Sequence, residues 1–238
     1  MMSDDDKRIQ RRSSRTEVDE FLHQVAAAPV SQGAGGRGRL IFALDATASR
    51  EPTWDRAARI QAEMFNETRN LGGLAIQLVY YRGFLEFEAS AWCLDADALL
   101  RRMTRVFCAA GQTQIGRVLQ HTLAETRRQK VNALVFVGDC MEENPDELAR
   151  LAGELGLLGV PAFVFQEGRD PGVERIFRQI AKLSGGAFCH FDAGSARQLS
   201  ELLSAVAVYA AGGRKALEEQ GRRKGGVVLQ LSHQLKRG

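Results

Sequence analysis

The chain has 238 residues, 45% of them hydrophobic and 26% charged, with a formal net charge of +3. This is the composition of a globular protein with enough apolar side chains for a full core, and so small a net charge does not by itself indicate a polyanion partner. No apolar run approaches the roughly 20 residues that span a bilayer, and the charged N-terminus lacks the apolar segment of a secretory signal. These features argue against a membrane protein and predict a cytoplasmic location.

The four cysteines, Cys93, Cys108, Cys140 and Cys189, are far apart and form no Cys-x-x-Cys pair. This spacing argues against a zinc site. Reduced thiols, three of them in or beside apolar runs, are the expected state.

Residues 1–38 have the character of an N-terminal extension. They end in a Gly-rich stretch, Ser31 to Gly38, that is typical of a flexible linker. Ahead of it, Thr16 is expected to cap a short helix with Val18, Phe21, Leu22 and Val25 on one face. This apolar face either packs against the rest of the protein or binds a partner, and packing is the favoured interpretation.

From residue 39 onward, short apolar segments alternate with amphipathic ones. Most of the apolar segments lack a polar alternation, which is typical of parallel strands buried on both faces. They are Leu40–Leu44, Leu74–Tyr81, Ala133–Val137, Pro161–Phe165 and Ala187–Phe191. The segment Phe84–Trp92 does alternate, and only Arg82 and Gly83 separate it from the preceding strand. So short a link permits a hairpin but no parallel crossover, and it predicts an antiparallel edge strand.

Five amphipathic segments lie between or after the strands. Their apolar residues recur at helical spacing over residues 54–71, 115–123, 148–155, 176–183 and 199–206. Strands that alternate with helices predict an α/β fold, with a doubly wound, mostly parallel sheet and helices on both faces. The predicted domain covers residues 39–211, and residues 212–238 form a basic C-terminal tail. The tail lacks interleaved aromatic residues, which argues against a nucleic-acid partner.

Hydroxyl and carboxylate side chains follow two of the predicted strands. Asp45, Thr47 and Ser49 come directly after the first strand, Asp139 ends the strand that begins at Ala133, and Thr113 precedes a helix. Ligands of doubly wound sheets bind at the carboxyl ends of the strands, so these five residues are expected to converge. Hard oxygen donors of this kind suit a divalent cation such as Mg²⁺. Taken singly, each has a structural alternative as a helix cap or an Asx-turn.

The order Asp-x-Thr-x-Ser, then Thr113, then Asp139 resembles the metal-ion-dependent adhesion site (MIDAS) of von Willebrand factor A (VWA) domains of the intracellular bacterial type. The resemblance spans residues 39–211 and implies a Rossmann-like interaction module without enzymatic activity. It implies that Thr47, Ser49 and Thr113 ligate Mg²⁺, or Mn²⁺, and that Asp45 and Asp139 often act through water. It further implies that a protein partner completes the metal with an Asp or Glu, and that AAA+ ATPases or chaperone-like systems are candidate partners.

Two departures from the VWA pattern bear on the site. Thr47 stands where Ser is common and keeps the hydroxyl, whereas Asp139 is followed by Cys140, Met141, Glu142 and Glu143 in place of the usual Gly. We expect a different local turn there, with extra carboxylates nearby. Glu142, Glu143 and Asp146, which surround Pro145, are expected to begin the next helix, where the helix dipole favours negative charge.

Two alternatives remain open at this stage. A haloacid-dehalogenase-like phosphohydrolase would use Asp45 as nucleophile with Thr113, Lys130, Asp139 and Glu143. Against it, Thr47 stands where a phosphatase needs an acid for the leaving group, and Lys130 lies beside a strand start. The other alternative is a metal-free scaffold of the same fold.

Overall fold

A computed structural model describes residues 17, 20–28, 37–47, 73–191 and 196–224. Its centre is a six-stranded sheet in the order β3-β2-β1-β4-β5-β6, in which only β3 is antiparallel to its neighbour. The strands are β1 (Gly38–Asp45), β2 (Leu74–Arg82), β3 (Glu86–Ala89), β4 (Ala133–Gly138), β5 (Ala162–Glu167) and β6 (Ala187–Phe191). This sheet, with helices packed around it, confirms the predicted fold class.

The predicted edge strand is shorter than its alternating sequence indicated. Phe84 and Leu85 lie in the turn after β2 rather than in β3, because the chain reverses at Gly83, whose φ is +57°. Beyond β3, Ser90 donates its N–H to the carbonyl of Leu78 (2.8 Å), and an isolated bridge pairs Cys93 with Ile76.

Six helices surround the sheet in the described part of the chain: α1 (residues 20–27), α2 (Ala96–Met103), α3 (Ile115–Arg128), α4 (Pro145–Leu157), α5 (Pro171–Ser184) and α6 (Ala196–Lys224). The backbone of α6 is interrupted at Gly213. The helix predicted over residues 54–71 lies outside the described residues. None of the described helices combines the length and apolar character needed to cross a membrane.

The two faces of the sheet support separate halves of the core. On one face, Leu40, Phe42 and Leu44 of β1 pack with α1, α2 and α6. On the other, Ile41 and Ala43 pack with α3, α4 and α5. Every residue of β1 is therefore buried, which explains why its sequence lacks a polar alternation.

Helix α1 belongs to the first half of the core. Phe21 is fully buried, and its ring centroid lies 5.0 Å from that of Phe165 and 6.0 Å from that of Phe163. Leu22 and Val25 are buried in the same cluster. The prediction that this apolar face packs against the rest of the protein is therefore confirmed for Phe21, Leu22 and Val25. Thr16 and Val18 lie outside the described residues.

Helix α6 crosses the start of β1 at very short range. A Cβ atom on Gly38 would lie 2.3 Å from the carbonyl oxygen of Ala210, so this crossing requires a residue without a side chain. Farther along α6, Ala216 and Leu217 are also buried in the core. The domain limits at residues 38 and 211 stay predictions.

Candidate metal centre

Asp45 is the last residue of β1 and lies beside Tyr81 of β2 in the parallel register. Its Oδ1 accepts a hydrogen bond from the backbone N–H of Thr47 (2.8 Å), which fixes an Asx-turn directly after the strand. Its Oδ2 accepts one from the hydroxyl of Tyr81 (3.2 Å). The carboxylate of Asp45 is thus buried and oriented at the carboxyl edge of the sheet. Ser49 lies outside the described residues.

Negative charge converges on the hydroxyl of Tyr81. Burial raises the pKa of this tyrosine well above its usual value, and the carboxylates of Asp45, Glu143 and Asp139 raise it further. Asp45 ends β1, and Asp139 and Glu143 belong to the segment after the neighbouring strand β4, so the sheet places all three carboxylates at its carboxyl edge. A cation bound there would relieve their mutual repulsion.

Asp139 follows β4, the neighbour of β1 on the side opposite β2. The register pairs Leu44 with Val137, and its continuation by one residue places Gly138 beside Asp45. Asp139 therefore lies one residue beyond Asp45 along the same edge. Burial and the charge of Glu142 raise the pKa of the neighbouring Cys140 thiol, and the charges of Asp139 and Asp45 add smaller increases.

Thr113 is held by the loop that carries Asp139. Its N–H donates to Oε2 of Glu142 (3.3 Å), and its Oγ1 accepts from the N–H of Glu142 (3.1 Å). This reciprocal pair joins the segment before α3 to the segment after β4. Thr113 does not cap α3, so this alternative role is wrong. The N-cap residue of α3 is Gln114, whose side chain makes no capping hydrogen bond.

Glu143 caps the N-terminus of α3, although it is not part of that helix. Its carboxylate accepts hydrogen bonds from the N–H groups of Ile115 (2.5 Å) and Gly116 (2.8 Å). The expectation that these acids begin the following helix is confirmed for Asp146, in the first turn of α4, and is wrong for Glu142 and Glu143, which precede the cap residue Asn144. Both glutamates instead bind the Thr113 segment.

A second set of backbone contacts joins the segment before α3, which contains Thr113, to the residues that follow β1 and β2. Ala109 donates its N–H to the carbonyl of Ala46 (3.0 Å), and Gln112 donates to that of Gly83 (3.1 Å). A Cβ atom on Gly111 would lie only 1.9 Å from the Gly83 oxygen, so the two chains touch through their backbones. The position of Thr113 is consequently fixed from both sides.

The donors present fit a hard divalent cation. Asp45 and Asp139 offer carboxylate oxygens and Thr47 and Thr113 offer hydroxyls, the ligand types that Mg²⁺ takes. Across the described ranges, no three His, Cys, Asp or Glu side chains form a group that could hold a metal by themselves. A metal at this edge would therefore depend on hydroxyl oxygens, and the five-residue ligand set stays a prediction.

Among the residues of the phosphohydrolase alternative, Lys130 does not join the others. Lys130 precedes β4 and donates from Nζ to the carbonyl oxygens of Leu158 (2.5 Å) and Gly159 (2.8 Å), at the amino end of the sheet. Asp45 lies at the carboxyl end. Glu143 is engaged by the backbone of α3.

Comparison with known proteins identifies the fold. No protein-family model and no curated protein sequence matches the chain. Among solved structures, it resembles the VWA domain of SpRpn10, with 13% sequence identity, a TM-score of 0.56, and coverage of 70% of this chain and 94% of that one. The fold is that of a VWA domain.

Two further structures share this VWA fold. An aerotolerance-related membrane protein from Bacteroides fragilis NCTC 9343 matches with 15% identity and a TM-score of 0.53, covering 70% of this chain and 98% of that one. Proximal thread matrix protein 1 from the mussel byssus, with its MIDAS motif occupied by zinc, matches with 16% identity and a TM-score of 0.55, covering 72% and 46%. At these identities the likeness concerns the VWA fold alone.

Proposed function

We propose that this protein is a metal-dependent protein-interaction module, and that it is not an enzyme. One observation carries the proposal: Asp45 ends β1 beside the buried Tyr81, and Asp139 follows the neighbouring parallel strand β4, so both predicted ligands lie at the carboxyl edge of the sheet. Thr113 is attached to the loop that carries Asp139. The VWA fold supports the proposal, because it includes a protein with a zinc-occupied MIDAS motif.

In this proposal the hydroxyls of Thr47, Ser49 and Thr113 ligate Mg²⁺, or Mn²⁺, directly. Asp45 and Asp139 hold it through water. Bound metal would supply an electrophilic position that a partner's Asp or Glu carboxylate can complete. The hydrogen bonds from Thr47 N–H and Tyr81 hydroxyl occupy both oxygens of Asp45 and orient them, a role typical of groups around metal ligands.

The Glu142 contact sets the direction of the Thr113 hydroxyl. Because Oγ1 accepts the N–H of Glu142, a remaining lone pair of this oxygen is available for a cation while its proton points elsewhere. Glu142 thus positions a ligand without needing to contact the metal. An AAA+ or chaperone-like partner and a cytoplasmic location stay predictions.

Calorimetric titration with Mg²⁺ and Mn²⁺ tests the proposal. Wild type and Thr113→Ser, which keeps the hydroxyl, are expected to bind, whereas Thr113→Val and Asp139→Asn lose affinity by about tenfold or more. Asp146→Asn, in the exposed first turn of α4, is the control that should bind as wild type does. Equal heats from wild type and Asp139→Asn, or none from either, would contradict the metal site and favour the metal-free scaffold.

A further inference from the structure

Three large apolar side chains are exposed close to one another beyond the end of β2. Phe84 and Leu85 form the turn before β3 and are 73% and 81% exposed, and Phe107 in the segment after α2 is 66% exposed. Arg82 joins the two segments, because its Nη1 donates to the Phe107 carbonyl (2.9 Å) and its guanidinium lies 4.1 Å from the Phe107 ring centroid. We call these three residues the apolar rim. Single exposed apolar residues are ordinary, but a group of them marks an interaction surface.

The backbone beneath the apolar rim is firmly fixed. Gly83 accepts the N–H of Gln112 (3.1 Å), and Arg117 donates to the Leu85 carbonyl (2.9 Å). The close backbone contact of Gly111 with Gly83 further restricts the position of this turn. The rim side chains are therefore presented on an ordered frame, which lowers the entropy that binding would cost.

The apolar rim lies within a few residues of the candidate metal centre. Asp45 pairs with Tyr81, which precedes Phe84 by three residues, and Ala46 accepts the N–H of Ala109, which follows Phe107 by two. With neighbouring strands about 4.8 Å apart and about 3.4 Å per residue along the chain, the backbone of Phe84 is at most about 15 Å from that of Asp45. An extended partner segment would cover that distance in about three to five residues.

Two exposed arginines, Arg105 and Arg117, adjoin the apolar rim. From Ala98 to Ala124 the sequence contains four arginines and no acidic residue. Arg105 and Arg117 of this stretch are exposed, and Arg105 is two residues from Phe107. On the opposite strand, Glu86 is paired with Arg82 (2.7 Å), while Glu88 lies farther back, beside Tyr80. This charge complements an acidic partner segment.

We propose that the apolar rim, Phe84, Leu85 and Phe107, binds a large apolar side chain of an acidic partner segment, three to five residues from the Asp or Glu that completes the metal. The inference rests on the proposed function and adds the chemistry of the partner. The carboxylate would provide metal dependence, while the apolar residue would provide selectivity among acidic segments.

The test uses a display library of short random peptides, each with one fixed central Asp, selected on the full chain in Mg²⁺ and in EDTA. We expect Mg²⁺-dependent recovery of peptides with an aromatic or large aliphatic residue three to five positions from the Asp. For a selected peptide, Phe84→Ser/Leu85→Ser should lower affinity by about tenfold to a hundredfold, the range for burying one such side chain. Leu157→Ser is the matched control, because Leu157 is 89% exposed at the end of α4.

The outcomes separate the rim from the proposed function. Mg²⁺-dependent peptides without the apolar preference, or equal binding to wild type and the double variant, would overturn the rim while the metal site stands. Recovery of no peptide despite calorimetric Mg²⁺ binding would overturn it too. If neither Mg²⁺ binding nor Mg²⁺-dependent recovery is observed, the proposed function fails and the rim proposal fails with it.

Discussion

Replacing Glu143 by Ala removes the carboxylate that accepts the Gly116 N–H at the start of α3. The Ile115 N–H loses its carboxylate partner as well. Loss of a helix cap costs about 0.5–2 kcal/mol, and loss of a carboxylate at the positive end of the helix dipole adds about 0.3–1 kcal/mol. We therefore expect the free energy of unfolding to fall by about 2 kcal/mol.

Urea unfolding followed by circular dichroism measures this change, with Glu147→Ala as the matched control. Glu147 is exposed in the first turn of α4 and pairs with Arg150, so its replacement should leave the midpoint almost unchanged. Since Glu143 acts beside the Thr113 segment, Glu143→Ala should also weaken Mg²⁺ binding by about tenfold. Equal unfolding midpoints for the two variants would refute the reasoning that Glu143 holds α3 in place.

Two other predictions concern backbone contact and pH. Gly38→Ala places a Cβ against the Ala210 carbonyl and should destabilise the protein by about 1–3 kcal/mol in urea unfolding. Gly153→Ala, with open space around the new atom on α4, should instead stabilise the protein by about 0.5–1 kcal/mol. If Gly38→Ala proved more stable than Gly153→Ala, the packing of α6 on β1 would be contradicted. Burial raises the pKa of the Cys189 thiol from 9.0 to about 12, so the unfolded chain loses this proton first as pH rises. Stability should therefore decline by about 1.4 kcal/mol per pH unit above pH 9 in wild type relative to Cys189→Ala, and parallel pH profiles would contradict the burial.

The sheet could be predicted because each of its parallel strands is buried on both faces. Such a strand needs an unbroken apolar segment whatever its neighbours are, as in Ala133–Val137. The short link that the sequence places after the second strand likewise predicted that β3 is antiparallel. Helix α2 was not predicted, since it has eight residues and buries only Leu99 and Met103, too few to form a helical pattern.

The support of the candidate site could not be predicted in the same way. Glu142 and Glu143 contact residues 27 to 29 positions away, and two loops have to meet before those hydrogen bonds exist. The departure of this segment from the VWA pattern was the available signal, and it indicated extra carboxylates without saying what they bind. Tyr81 gave no signal, because its role depends on its register with Asp45.

The central claim is that a divalent cation binds at the carboxyl edge of the sheet, between the loops after β1 and β4. Titration of the isotopically labelled protein with Mn²⁺ tests it directly, since the paramagnetic ion broadens the amide signals of nearby residues. We expect broadening centred on Thr47, Thr113 and Asp139, reversed by excess Mg²⁺ and lost in Thr113→Val. Broadening centred elsewhere, or unchanged in that variant, would contradict it.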